Sequence, residues 1–123
     1  MNAVDAEDYD RQVAYDEVLA DRIRTLVGGG KDVTEQKMFG GLAFLVGGNM
    51  AVAASGQGGI LVRVDPDVSE ELTAETSARV MEMRGRGMPG WLRVEAADVE
   101  AEPELGAWVE RGVTYARSLP AKR

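Results

Sequence analysis

Apolar and polar positions along the chain recur with two different periods, which separate predicted helices from predicted strands. Between residues 12 and 27, large apolar side chains recur at spacings of four, four and three: Tyr15, Leu19, Ile23 and Leu26. This spacing gives one apolar face of an amphipathic helix, and the glycines at 28–30 end it. A short second helix is predicted to begin at Asp65-Pro66-Asp67, and an apolar face over residues 103–119 predicts the last helix.

The central stretch, residues 38–62, contains no charged side chain in 25 positions. A run of this length raises the possibility of a transmembrane helix, for which about 20 apolar residues suffice. Seven of the 25 residues are glycine, however, and they cluster at 40–41, 47–48 and 56–59. The clusters divide the run into pieces of strand length, so the stretch predicts antiparallel strands with tight turns and no membrane span.

Residues 35–46 fit two interpretations, namely two strands joined by a hairpin or one long strand bent at Gly40-Gly41. We favour the bent strand, because paired glycines without flanking turn residues are typical of a bulge. Gly48-Asn49 predicts a hairpin turn, and further strands are predicted at residues 50–55, 60–64, 80–84 and 91–95. The order is helix, three strands, helix, two strands, helix, which is an α+β fold.

Each predicted strand has two faces, because side chains alternate along it. We expect one face to meet the helices through apolar residues of the later strands: Ile60, Val62, Val64, Met81, Met83, Leu92 and Val94. The opposite face mixes cationic and apolar side chains: Phe39, Leu45, Leu61, Arg63, Arg84, Trp91 and Arg93. This mixture is too apolar for a face in water, so we expect a second copy of the chain to cover it and form a homodimer.

The composition restricts the possible chemistry, because the chain contains neither cysteine nor histidine. Disulfides, thiolate nucleophiles, imidazole bases and the commonest zinc ligands are therefore excluded. A carboxylate or lysine base would need burial to shift its pKa, and no acid lies within residues 38–62. We expect no enzymatic activity, no catalytic residue, no metal site and no cofactor.

The distribution of charge indicates the domain limits and the compartment. Residues 1–11 are acidic and lack the basic and apolar segments of a signal peptide, so a cytoplasmic protein is expected. We assign residues 1–11 to a flexible acidic extension, 12–120 to a single domain and 121–123 to a tail. The net charge of −7 argues against general binding to nucleic acid or to an anionic membrane.

The strongest candidate for a partner-binding site is the segment 84–93, which contains Arg84, Arg86, Trp91 and Arg93. Its arginines and tryptophan are able to hold a phosphate and stack on a base. The better-supported interpretation is a strand connection, with Trp91 packed at a sheet edge or dimer interface.

Two further cations, Lys37 and Arg63, extend the candidate partner-binding set. Lys37 precedes the apolar run, where a lysine usually packs its stem along the sheet and keeps its ammonium in water. Arg63 joins the arginines of segment 84–93 in an alternative interpretation, a nucleic-acid-associated regulator with one arginine patch. Contacts with another protein remain the preferred interpretation, because the chain as a whole is acidic.

Six segments in a fixed order carry a family resemblance: residues 37–44 (KMFGGLAF), 48–50 (GNM), 61–64 (LVRV), 85–91 (GRGMPGW), 108–109 (WV) and 115–120 (YARSLP). Together they resemble the N-terminal domain of TfoX/Sxy-type competence regulators, in particular the short stand-alone members. The resemblance implies a curved antiparallel sheet in a secretion-chaperone-like α+β fold. It also implies a regulatory domain without catalytic residues; in the two-domain relatives, a helical domain follows and the whole is a transcriptional coactivator.

Overall fold

The computed structural model of the chain describes residues 15–38 and 40–122. They form three α-helices, six strands and one 3-10 turn: α1 Glu17–Val27, β1 Val33–Met38, β2 Gly41–Val46, β3 Asn49–Ala54, β4 Ile60–Arg63, α2 Pro66–Glu75, β5 Arg79–Met83, β6 Arg86–Val94, the 3-10 turn Ala96–Val99 and α3 Glu102–Ser118. The predicted extension 1–11, the first residues of the predicted first helix and Phe39 lie outside the described residues. No described helix is long and apolar enough to cross a membrane.

The strands form one antiparallel sheet in the order β1-β2-β3-β4-β6-β5. The two edge strands contribute side chains to one hollow, which central residues of the sheet also line. These side chains are Met38 of β1 and Met81 and Met83 of β5. The sheet is therefore strongly curved and remains open. The predicted α+β class and the curved antiparallel sheet are confirmed.

The number of strands before α2 is four and not three, because residues 35–46 form a hairpin and not a bent strand. Met38 pairs with Gly41, so β1 and β2 are joined by a two-residue turn in which Gly40 has a φ of 75°. Gly41 is constrained differently, since a Cβ there would lie 2.2 Å from the Ala54 carbonyl oxygen of β3. A bulge does exist nearby in the β2–β3 pairing, where Ala51 of β3 has no partner between Phe44 and Leu45 of β2.

Two other turns differ from the prediction. The β2–β3 turn is Gly47-Gly48, both with positive φ, and Asn49 is instead the buried first residue of β3. Its side-chain amide donates to the Pro120 carbonyl over 3.0 Å, which ties the end of the chain to this turn. The β5–β6 turn is Arg84-Gly85, so most of the predicted connection 85–90 belongs to strand β6.

All three helices pack on one side of the sheet, which we call the helix face. Its core includes the predicted apolar residues of β4 and β6: Ile60, Val62, Val64, Leu92 and Val94. The prediction for Met81 and Met83 is wrong, because Val80 of β5 pairs with Leu92 and takes the helix side. Met81 therefore lies on the opposite, concave face of the sheet, and Met83 lines the hollow on that face.

The ends of α1 and α2 follow from local capping. The Asp16 carboxylate accepts from the backbone N–H groups of Val18 and Leu19 and caps α1. Asp65 accepts from the Asp67 N–H at the start of α2, where proline occupies the first turn as predicted. These caps fix where α1 and α2 begin.

Candidate functional site

The strand register arranges side chains of the concave face in rows across the sheet. One row crosses all six strands, and its members, from β1 to β5, are Gln36, Ala43, Ala53, Leu61, Arg93 and Arg79. The row is polar at its β1 end, small and apolar in the middle and cationic at its β6–β5 end. Ala43 and Ala53 stand at adjacent positions of β2 and β3, and Ala53 lines a hollow on the concave face.

The hollow, which we call the methionine groove, has a volume of about 210 Å³. Its apolar lining comes from four strands, β1, β3, β4 and β5: Met38, Met50, Ala53, Ala54, Leu61, Met81 and Met83. Ser55, Gln57, Glu82 and Arg93 supply polar groups at its border. Sequence reasoning placed Met81 and Met83 in the core on the helix face, and it missed the groove because no local motif connects the four methionines.

The centre of the concave face is already buried in a single chain. Ala43, Met50, Ala53, Leu61 and Met81 are each less than 7% exposed. Met38, Leu45 and Trp91 are partly buried against them. A second copy of the chain is therefore not needed to bury the centre of this face, which was the sequence-based reason for expecting a homodimer there.

Arg63 and Trp91, both predicted site residues, meet on neighbouring strands. The Arg63 guanidinium lies 4.5 Å from the centroid of the Trp91 ring and 5.5 Å from that of Tyr115 on α3. Both distances are within cation–π range. Trp91 lies on β6, between β4 and β5, so the predicted position at a sheet edge is wrong. Its ring is occupied by Arg63, which leaves less of it for stacking on a base.

The other predicted cations do not join this stack. Arg93 donates to the Ser55 hydroxyl over 3.2 Å at the methionine groove. Arg84 and Arg86 are exposed at the tip of the β5–β6 hairpin, and Arg86, the nearer of the two in sequence, is five residues or about 16 Å of strand from Trp91. Lys37 pairs with Leu42 and therefore lies on the helix face, exposed on edge strand β1. The predicted single arginine patch is thus divided into separate groups.

A second groove, which sequence reasoning missed, lies between α2 and α3 and has a volume of about 520 Å³. Val64, Val68 and Leu72 provide apolar lining on the α2 side. The α3 side contributes Glu110, Arg111, Thr114, Tyr115 and Ser118. We call this the helix groove. Val68 is 36% exposed, so the apolar surface of the groove is accessible to a partner.

One ion pair fastens α1 to the edge of the sheet. The Arg24 guanidinium donates to both carboxylate oxygens of Glu35 on β1, over 2.5 and 2.9 Å, and lies 5.7 Å from the Phe44 ring centroid. These hydrogen bonds hold the pKa of Glu35 below its usual value. The pair is partly exposed, and we assign it a structural role because neither residue lines a groove described above.

Comparison with known proteins identifies the fold family. The family model of the TfoX N-terminal domain matches residues 25–116 of the 123-residue chain. Searches of curated proteins and of solved structures give no significant match. The matched region begins in α1 and ends near the end of α3, so it includes the whole sheet, the methionine groove and the lining of the helix groove except Ser118. The chain therefore belongs to the TfoX N-terminal domain family.

Proposed function

We propose that this chain is a non-enzymatic regulatory domain that acts through protein–protein contacts and associates as a homodimer. Membership of the TfoX N-terminal domain family supports a competence-regulator-like role. The observation that carries the proposal is the helix groove, which combines an accessible apolar lining with charged groups of both signs.

The apolar lining supplies a driving force for association. Val68 is 36% exposed and Leu72 is half-buried beside it, one helical turn away. Removing such side chains from water is worth about 25 cal/mol for each Å² of apolar surface. A partner that fills the groove would bury Val68 and Leu72 together, because residues four apart share one face of a helix.

The charged rim of the groove suits a second copy of the same chain. Glu110 and Arg111 are adjacent on α3, and both border the groove. In a two-fold dimer each copy presents the same patch, so Glu110 of one copy can face Arg111 of the other, and the reverse. This arrangement makes two ion pairs across one interface and gives the groove a self-complementary rim.

Sedimentation equilibrium at micromolar concentration tests the homodimer. We expect the wild-type chain to be dimeric and Val68→Asp to be monomeric, because the substitution places a carboxylate against the partner's apolar surface. Val18→Asp is the matched control, since Val18 is 70% exposed on α1 and does not line the groove. This control is expected to remain dimeric.

A charge exchange tests the proposed orientation of the two copies. Glu110→Arg alone is expected to weaken the dimer, because it sets like charges against each other. The double variant Glu110→Arg, Arg111→Glu restores opposite charges and should recover association. A strictly monomeric wild-type chain refutes the homodimer, and a dimer indifferent to both Val68→Asp and Glu110→Arg refutes this interface.

A further inference from the structure

We propose that the methionine groove is a recognition pocket for one large apolar side chain of a partner peptide, with a carboxylate of that peptide placed against Arg93. The proposal rests on the proposed role in protein–protein contacts, and it assigns the concave face a partner distinct from the second copy at the helix groove. Three observations carry it: the lining of the groove, its volume and the charge at its border.

The lining is unusual in its methionine content. Four of the six methionines of the chain border this one hollow, namely Met38, Met50, Met81 and Met83. Methionine is unbranched and polarizable, and it makes favourable contacts with aromatic rings. Met50 and Met81 are buried, whereas Met38 is half-buried and Met83 is 39% exposed. The buried pair forms the inner lining, and the other two can reorient around a ligand.

The volume limits what the groove can hold. Pockets for whole cofactors or drug-sized ligands measure about 300–1,000 Å³, and this groove measures about 210 Å³. It therefore accepts a single large side chain more readily than a complete small molecule. Ala53 lines the groove from β3 and leaves space above it, because its side chain is a single methyl group.

The charged residues at the border of the groove determine which group of the peptide is favoured next to its apolar side chain. The Arg93 guanidinium is half-buried and is held by a hydrogen bond to the neutral Ser55 hydroxyl. Glu82 also borders the groove, but it is exposed, so water screens its charge more effectively. A carboxylate on the Arg93 side gains a charge-assisted hydrogen bond with a positioned donor. The favoured partner thus carries an apolar side chain next to an acidic one.

Methyl-resolved NMR of the full chain with ¹³C-methyl methionine provides a direct test. The probe is the blocked dipeptide acetyl-Phe-Asp-amide, whose ring would shift the methyl signals of residues that it contacts. We expect saturable shifts for Met38, Met50, Met81 and Met83. Met88, which lies on β6 and does not line the groove, is the internal control and should not move.

Two variants and a second probe establish the geometry. Acetyl-Phe-Asn-amide lacks the charge and should bind about tenfold more weakly or worse, as expected for the loss of a hydrogen bond to a charged group. Arg93→Gln should remove this difference between the two peptides. Ala53→Leu fills the groove and should abolish binding; if it fails to fold, the Arg93→Gln comparison still decides the assignment.

Several results would overturn the proposal. They are the absence of saturable shifts, equal movement of Met88, or equal binding of the two peptides by the wild-type chain. Shifts that depend on protein concentration without peptide would assign the groove to a second copy of the chain. The monomeric Val68→Asp variant separates the two proposals, because peptide binding should persist in it whether or not the wild-type chain dimerises.

Discussion

The close approach of α3 to the sheet predicts opposite effects for two glycine-to-alanine substitutions in one helix. The bulge in the β2–β3 pairing leaves Ala51 without a partner in β2, between Met50 and Val52, which both have one. A Cβ added to Gly112 would lie 2.3 Å from the Ala51 carbonyl oxygen. A Cβ added to Gly106, about one and two-thirds turns earlier, would meet nothing within 4 Å.

The geometry allows the size of each effect to be estimated. Ordinary van der Waals contact begins at 3.4 Å, so Gly112→Ala must move α3 or β3 by about 1 Å. A gap of 0.5–1 Å already loses about a quarter to a half of the dispersion energy of the contacts that it opens. Overpacking costs about 1–3 kcal/mol, and the upper part of that range, about 2–3 kcal/mol, applies here because the obstructing atom belongs to the backbone. Alanine gains only about 1 kcal/mol in helix propensity. We expect a net destabilisation of about 1–2 kcal/mol.

Thermal and urea unfolding of the two variants measure this difference. At about 4 °C per kcal/mol for a domain of this size, Gly112→Ala should lower the Tm by about 4–8 °C. Gly106→Ala should raise it by about 2–4 °C, since it gains propensity without a clash. A Gly112→Ala variant as stable as Gly106→Ala would show that α3 does not pack on the bulge, and the reasoning would fail.

Three shorter predictions concern Asn49, Glu35 and binding to nucleic acid. Asn49→Ala should cost about 1 kcal/mol in urea unfolding, because it removes a buried hydrogen bond to the end of the chain; an unchanged midpoint would contradict this role. Glu35→Gln should cost less than about 1 kcal/mol, because both partners of its ion pair are partly exposed. Since Arg24 lowers the pKa of Glu35 in the folded state, this cost should be present above about pH 4.3, the ordinary glutamate value, and vanish as the pH falls through the lowered pKa. If Glu35→Gln costs the same above about pH 4.3 and below the lowered pKa, the ionisation of Glu35 does not contribute to stability. In a low-salt gel-shift assay we expect no retention of DNA or RNA, because the net charge is −7 and Arg84 and Arg86 are remote from the other arginines; salt-sensitive retention would favour the nucleic-acid alternative.

Helices α2 and α3 were predictable because their signals are local, whereas the predicted start of α1 near residue 12 is wrong, since α1 begins at Glu17 after the cap Asp16. The apolar spacing of residues 103–119 gives α3 within one residue at each end, as Glu102–Ser118. The Asp65-Pro66 pair likewise marks the start of α2. Caps and a 3.6-residue period depend only on neighbours along the chain, so a single sequence contains them.

The strand errors have a different cause, because register and facing depend on partners distant in sequence. Strand β1 is polar in the middle, from Thr34 to Lys37, and as an exposed edge strand it needs no apolar alternation. Its pairing with β2 was therefore hidden, and Gly40 was interpreted as part of a bend. Similarly, only the pairing of Val80 with Leu92 decides that Met81 faces away from the helices.

The candidate site was the least predictable part, since it exists only after the sheet curves. Met38 and Met83 are separated by 45 residues and lie on opposite edge strands, yet both border one hollow. A methionine count would have been the available signal, but its meaning depends on two small residues, Gly41 of β2 and Ala53 of β3, that line the hollow between the edge strands. Arg93 shows the same dependence, because its place opposite Leu61 brings the guanidinium to the border of that hollow. Cross-strand neighbours thus decide which side chains surround each charged residue of this sheet. The charged residues were visible in the sequence, and the surface beside them was not.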